Sequence, residues 1–104
     1  MPIADDPVLY KSFLSARECY QRGDLAGAEA ICSRLLALDP SDVELLFLFG
    51  NVQVRKGATE AGLECLRLAQ QLKPSYPRIR FAIGLALQKI GRRQEAAEAY
   101  RAAL

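Results

Sequence analysis

The amino-acid sequence predicts an all-α fold made of repeated helical hairpins, and three observations indicate it. Gly23, Gly57 and Gly91 are spaced by 34 residues. The same interval relates two leucines, two prolines, a column of small residues and a column of phenylalanines: Leu38 and Leu72; Pro40 and Pro74; Ala16, Gly50 and Gly84; Phe13, Phe47 and Phe81. The sequence also lacks the alternating β-branched runs between turns that would indicate strands. A constant period of this length is typical of stacked repeats.

Each repeat is predicted to contain two helices separated by a glycine turn. In the first repeat, we expect Asp6 to cap a helix that has Pro7 in its first turn, and Asp24 to cap the second helix. In the middle repeat, Ser41 and Glu44 have the spacing of a capping box. The six predicted helices span about residues 7–21, 25–38, 42–56, 59–72, 77–90 and 93–104.

Five consecutive apolar residues, Leu45 to Phe49, lie in the third predicted helix. Successive residues of a helix are turned by about 100°, so these five side chains point in several directions. A helix that is apolar on most of its circumference needs neighbours on several sides, or an apolar surface kept for a partner. The repeats before and after this helix are expected to supply the neighbours.

The chain resembles the tetratricopeptide repeat family, whose units of about 34 residues carry small, glycine, alanine and proline residues at fixed places. The matching residues are Ala16, Gly23, Ala28 and Pro40 in the first unit, Leu46, Phe49, Gly50, Gly57, Ala69 and Pro74 in the second, and Ile83, Gly84, Gly91, Ala96 and Tyr100 in the third. One departure is Gly62, where the other two units have alanine. Glycine at this place is expected to let the helices approach closely.

The resemblance covers residues 9–104 and implies a right-handed superhelix of three helix-turn-helix units in one domain. Residues 1–8 would be a lead-in, followed by units at 9–42, 43–76 and 77–104. The ends of this array differ. Ser12 and Ser15 suit a first unit that has no helix before it, whereas the third unit reaches Leu104 without a closing proline or a polar capping helix. An uncapped end exposes apolar surface, so we expect a piece of a longer protein or a homodimer through this end.

Composition excludes several classes of function. The net charge is +2, from 14 basic and 12 acidic residues, which gives no strong electrostatic signal for nucleic acid. Without histidine, the common metal sites and histidine-based catalysis are excluded. The three cysteines, Cys19, Cys32 and Cys65, form no close-spaced pair and are expected to be buried. No apolar run reaches about 18 residues. We therefore expect a noncatalytic, cytoplasmic protein with no cofactor, no metal and no membrane contact.

In the family that the sequence resembles, the first helices of the units line a concave groove that usually binds a peptide. Placed on that pattern, the candidate groove residues are Phe13, Arg17, Phe47, Asn51, Arg55, Arg78, Phe81 and Lys89. The phenylalanine column is either an aromatic ladder along the groove or core packing between adjacent first helices, and both interpretations stay open here. Such a groove would favour a peptide with apolar anchors and some acidic residues.

The predicted function is a noncatalytic protein-interaction scaffold. The clamp of lysine, asparagine and arginine with which a subset of the family binds chaperone tails is missing, since Arg78 alone could take part. An asparagine ladder, as in the repeats of O-linked N-acetylglucosamine transferase, is missing too, because Asn51 stands alone. Two alternatives stay open. One is the amino-terminal, substrate-presenting or assembly region of a larger glycosyl-, sulfo- or methyltransferase, and the other is a self-associating structural module.

Overall fold

The computed structural model describes residues 3–104 and contains six α-helices paired as three hairpins. The helices are α1 Pro7–Arg22, α2 Leu25–Leu38, α3 Val43–Lys56, α4 Thr59–Leu72, α5 Pro77–Lys89 and α6 Arg93–Ala103, and a 3₁₀ turn at Ile3–Asp5 precedes them. Neighbouring hairpins pack through α2 against α3 and through α4 against α5. Since these residues contain no strand, the predicted all-α helical solenoid is confirmed.

A glycine follows the first helix of each hairpin and turns the chain. Gly23, Gly57 and Gly91 have φ angles of +84°, +98° and +81°. This left-handed region is costly for residues with a Cβ atom and free for glycine, which is why helices so often end there. The 34-residue period is therefore clearest at these glycines, because every unit needs the same backbone conformation at the same place.

Helix α3 is buried on two sides. Leu45, Leu48 and Val52 belong to a core that α3 shares with the first hairpin. Leu46 and Val54 belong to a second core with α4, α5 and α6. The apolar run of α3 therefore supplies both cores, because successive side chains point to different sides of the helix. The expectation that this helix has neighbours on several sides is confirmed.

The prediction of a capping box at Ser41 and Glu44 is wrong. The N-cap of α3 is Asp42, whose Oδ1 accepts a hydrogen bond from the Leu45 N–H at 3.0 Å. Its Oδ2 accepts a second hydrogen bond, from the Ile3 N–H at 3.4 Å. A carboxylate accepts both bonds at once, and its charge also favours the amino end of a helix. Asp42 is therefore the better cap at this helix start.

The amino-terminal segment contributes to the first core. Residues 1–2 of the expected lead-in lie outside the described part of the chain, Ile3–Asp5 form the 3₁₀ turn, and α1 begins at Pro7. Ile3 is 2% exposed and belongs to the same buried cluster as Phe13. One isoleucine of the lead-in thus takes part in covering the first hairpin.

Two glycines let α3 and α4 approach closely. A Cβ atom placed on Gly62 would lie 2.7 Å from the Gly50 carbonyl oxygen and 2.6 Å from Val54 Cγ2. A Cβ atom on Gly50 would lie 2.9 Å from Leu66 Cγ. Carbon atoms normally pack at about 3.5–4.0 Å, so a larger residue would force the helices apart. The expected close approach at Gly62 is confirmed.

We predict that Gly62→Ala destabilises the fold by about 1–3 kcal/mol, the usual range for an overpacked core. The methyl group would meet backbone, which cannot rotate away as a side chain can. Urea denaturation of the variant measures the change. Ala61→Gly, at the exposed neighbouring position, is the control and should lose about 1 kcal/mol through helix propensity alone. A gain in stability for Gly62→Ala would mean that propensity outweighs packing, and would contradict the prediction.

A polar cluster joins the first two hairpins. The Glu29 Oε2 accepts hydrogen bonds from Lys56 Nζ at 2.7 Å and from Gln53 Nε2 at 2.6 Å. These bonds, chiefly the one from Lys56, hold the pKa of Glu29 below its ordinary value of 4.5. Gln53 is 6% exposed, so loss of its partner would leave a buried amide unsatisfied.

We expect this cluster to make stability depend on pH. Because the pKa of Glu29 is lowered in the folded state, its contribution is fully present above 4.5 and is lost as the pH falls through the lower, folded-state pKa. Glu29→Gln should therefore be less stable than the natural chain at neutral pH, and the two should converge in acid. Urea midpoints across this range provide the measurement, with the exposed Glu64→Gln as control. A difference that stayed constant with pH would exclude the charge as the cause.

Candidate functional site

Two adjacent depressions lie over the first helices of the hairpins, and every residue that lines them belongs to α1, α3 or α5. The central depression has a volume of about 210 Å³, and its lining includes Phe13, Arg17, Tyr20, Phe47, Asn51 and Arg78. The distal depression has a volume of about 510 Å³, and its lining includes Tyr20, Asn51, Arg55, Ala82, Leu85 and Lys89. Since Tyr20 and Asn51 line both, the two depressions form one continuous surface, called the groove below.

Seven of the eight predicted site residues line the groove: Phe13, Arg17, Phe47, Asn51, Arg55, Arg78 and Lys89. Phe81 does not. It lines a third depression of about 420 Å³ at the end of the third hairpin, together with Tyr100 and Leu104, and Arg78 lies between this depression and the central one. The helical spacing of Phe47, Asn51 and Arg55, four residues apart, explains why one face of α3 runs along the whole groove.

Arg78 lies over Phe47 in the central depression. Its guanidinium carbon is 5.0 Å from the centre of the Phe47 ring and 5.7 Å from that of the Tyr76 ring. Arg78 Nη1 donates a hydrogen bond to the Tyr76 hydroxyl at 3.1 Å, and this hydroxyl donates to Glu44 Oε1 at 3.0 Å. Three side chains from two hairpins thus hold one guanidinium over one aromatic face.

Sequence reasoning missed Tyr76, although the sequence contains a signal for it. Tyr76 is the N-cap residue of α5, whereas the corresponding cap of α3 is Asp42. Tyrosine is not among the residues that favour N-caps, so its presence there departs from local helix rules. Such departures concentrate at functional positions. Here the departure places a phenol beside the groove.

A second arginine is held over the ring of Tyr20. The Arg55 guanidinium carbon lies 4.8 Å from the ring centre, and Arg55 Nη1 donates a hydrogen bond to the Tyr20 carbonyl oxygen at 3.3 Å. Contacts of this kind orient a guanidinium without neutralising its charge. Two of the three aromatic rings that line the central depression, Tyr20 and Phe47, therefore have a cation above them.

The groove has an excess of positive charge. The lining of its two depressions contains four basic residues, Arg17, Arg55, Arg78 and Lys89, and one acidic residue, Glu44. Within residues 3–104, the ion pairs that come within 4.0 Å are Lys56–Glu29, Arg92–Glu60 and Arg92–Glu95. The four groove cations therefore form no ion pair with a described carboxylate. The chain as a whole has a net charge of only +2.

The family profile described as tetratricopeptide repeat matches residues 77–104, which form the third unit. The solved structure of the tetratricopeptide repeat domain of Sgt2 from Aspergillus fumigatus aligns with a TM-score of 0.86 and 22% identity, over 93% of this chain and 64% of that chain. The chain has the tetratricopeptide repeat fold, and its third unit matches the sequence family. The structural alignment extends over most of the chain, whereas the sequence profile matches the third unit alone.

Two further solved structures share this tetratricopeptide fold. The Yersinia enterocolitica type III secretion chaperone SycD, in complex with a peptide of the translocator YopD, aligns with a TM-score of 0.85 and 21% identity, over 92% of this chain and 73% of that one. The O-GlcNAc transferase of Thermobaculum terrenum aligns with a TM-score of 0.87 and 25% identity, over 91% of this chain. The chain spans 18% of the transferase. No curated protein matches the sequence of this chain.

The phenylalanine column of the tetratricopeptide units divides into three environments. Phe13 is 8% exposed and lies in the first core. Phe47 is half-buried beneath Arg78. Phe81 is 53% exposed, with its ring centre 5.4 Å from that of Tyr100. The two interpretations, groove ladder and core packing, therefore apply to different phenylalanines of the column, because equivalent positions in the units have different neighbours.

Two of the three thiols of this chain, those of Cys32 and Cys65, are poor nucleophiles. Burial raises the pKa of the Cys32 thiol to about 12, and burial also raises the pKa of Cys65. Both thiols stay protonated at neutral pH, so neither supplies the thiolate that covalent catalysis requires. The expectation of buried cysteines holds for Cys32, whereas Cys19 and Cys65 are half-buried.

Neither a cluster of metal ligands nor a membrane-spanning helix is found among residues 3–104. The described side chains contain no group of three or more histidine, cysteine or carboxylate ligands arranged for a metal ion. None of the described helices combines the length and the hydropathy that crossing a lipid bilayer requires.

We predict that alanine substitutions along the phenylalanine column have unequal effects on stability. Phe13→Ala should lower the free energy of unfolding by about 3–5 kcal/mol, the range for a buried phenylalanine. Phe81→Ala should cost about 1 kcal/mol, because it removes an exposed ring and one aromatic contact. Urea denaturation of both variants tests the order. Equal losses would show that the two positions share one environment, against the burial described above.

Proposed function

We propose that this tetratricopeptide repeat protein is a noncatalytic protein-interaction scaffold that holds a peptide segment in its groove. The observation that carries the proposal is the groove itself. It combines aromatic faces at Tyr20 and Phe47 with four cations that lack a described carboxylate partner. Aromatic residues supply apolar contact area, and unpaired cations attract acidic side chains.

The chemistry of the groove favours a peptide with apolar anchors and acidic residues. Phe47, at the centre of the surface, is half-buried, and an anchor can pack on its ring where Arg78 moves aside. Arg17 and Lys89 lie on α1 and α5, at opposite sides of the groove. A bound acidic segment would be attracted along its whole length, and its apolar residues would supply most of the affinity.

The fold shared with SycD supports this proposal. The SycD structure contains a peptide of the translocator YopD, and the chain aligns with it over 92% of its own length. A fold of this kind is therefore able to hold a peptide. A cytoplasmic location and a homodimer through the third unit remain predictions.

A second candidate function is that of the repeat region of a larger enzyme. It is favoured by the alignment with the O-GlcNAc transferase, in which 91% of this chain matches a portion equal to 18% of the enzyme. In that setting the same groove would present a substrate segment to a separate catalytic domain. The open reading frame that encodes the chain distinguishes the two functions, because an enzyme would continue into a catalytic domain.

We predict that reversing charge in the groove weakens peptide binding and leaves the fold intact. The probe is a displayed library of random 12-residue peptides, selected on the natural chain. Peptides that bind the groove should lose at least about tenfold in affinity to the double variant Arg17→Glu, Lys89→Glu, which corresponds to about 1.4 kcal/mol. Both residues are exposed, so thermal unfolding should change little.

The matched control is Arg67→Glu, an exposed arginine of α4 that lines neither depression. It reverses one charge on another surface, where the groove variant reverses two, and should leave peptide affinity within about twofold. If no peptide is enriched, or if Arg67→Glu weakens binding as much as the groove variant does, the proposed function is overturned.

A further inference from the structure

We propose that Arg78 makes the binding of an apolar anchor on Phe47 conditional on an acidic residue next to that anchor. This inference rests on the proposed function and names the specificity of the same groove. In the free protein, the guanidinium of Arg78 lies over the Phe47 ring at 5.0 Å. An apolar side chain that packs on this face must first displace the guanidinium.

A chain of hydrogen bonds holds Arg78 in the covering position. The Tyr76 hydroxyl accepts a hydrogen bond from Arg78 Nη1 at 3.1 Å and donates one to Glu44 Oε1 at 3.0 Å. Glu44 belongs to α3, as does Phe47, while Tyr76 and Arg78 belong to the start of the third hairpin. The covering position is therefore fixed to the helix that carries the covered ring.

A peptide carboxylate can release this arrangement, whereas an apolar side chain cannot. A guanidinium forms two parallel, charge-assisted hydrogen bonds with a carboxylate, and these are stronger than its single bond to a neutral phenol. An acidic residue beside the anchor therefore offers Arg78 a better partner at the moment when it leaves the ring. A purely apolar peptide gives no such compensation and is disfavoured, which is selection against a wrong partner.

Arg55 does not act in the same way. It lies over Tyr20, and its hydrogen bond goes to the Tyr20 carbonyl oxygen, so one residue supplies both the ring and the acceptor. Arg78, by contrast, is held by Tyr76 and covers Phe47, so its acceptor and its covered ring are separate. Acid-dependent uncovering is therefore specific to Arg78.

The test uses the same displayed library of random 12-residue peptides, selected in parallel on the natural chain and on Arg78→Gln. Peptides from the natural chain should combine a large apolar residue with a neighbouring aspartate or glutamate. Changing that acid to its amide should weaken binding to the natural chain about tenfold, which equals about 1.4 kcal/mol. The same change should weaken binding to Arg78→Gln by no more than about twofold. Peptides selected on Arg78→Gln should keep the apolar residue and lose the acid.

Two further variants separate covering from simple charge attraction. Tyr76→Phe removes the hydroxyl that holds Arg78, and it should bind acid-free apolar peptides several-fold more tightly than the natural chain does. Arg78→Lys keeps the charge without the planar group, so it should retain part of the acid preference while also accepting acid-free peptides. The exposed Arg67→Gln is the control and should leave the acid preference unchanged.

The outcomes distinguish this inference from the proposed function. One outcome is that the natural chain enriches peptides whose binding is weakened by Arg17→Glu, Lys89→Glu, but that Arg78→Gln shows the same acid preference. The conditional mechanism is then overturned and the scaffold function stands. The same conclusion follows if Tyr76→Phe binds acid-free peptides no better than the natural chain. If the natural chain enriches no peptide, the proposed function fails, and the role of Arg78 fails with it.

Discussion

The packing of α3 between its two neighbours is the constraint on which the rest of this structure depends. Leu45 and Leu48 pack into one core, and Leu46 and Val54 into another. A single tetratricopeptide hairpin cannot bury its apolar surface alone, so the first and third hairpins are stabilised by packing against the apolar side chains of α3. Each fully buried leucine contributes about 1.5–3 kcal/mol. Loss of α3 would therefore expose both cores together.

The same packing determines where the groove lies. Two sides of α3 are used by the cores, and the side that remains carries Phe47, Asn51 and Arg55 at intervals of four residues. Because α3 is held from both sides and closely packed on α4 through Gly50 and Gly62, this third side is presented in a fixed orientation. A binding surface on a rigid helix holds its side chains more precisely than a loop does.

Much of this could be predicted from sequence, because the period of 34 residues and the helical spacing are repeated physical requirements. Gly23 and Gly57 cap the ends of α1 and α3, Gly91 follows the end of α5, and each of the three adopts a positive φ. Other features depend on a single contact that no period records. The second hydrogen bond of Asp42, from the Ile3 N–H, and the burial of Ile3 join segments that lie 39 residues apart in the chain. Sequence spacing alone favoured Ser41 and treated Ile3 as part of a lead-in.

The phenylalanine column shows why a repeat predicts structure better than function. Repetition places Phe13, Phe47 and Phe81 at equivalent backbone positions, but the environment of each ring depends on the elements around it. Phe13 lies in a core completed by Ile3, and Phe81 lies beside Tyr100 at the end of the third hairpin. Phe47 alone has a unit on either side, and the following unit supplies the arginine that covers it. The specificity that we propose is therefore concentrated in the middle unit, because there the ring and the arginine over it come from different repeats.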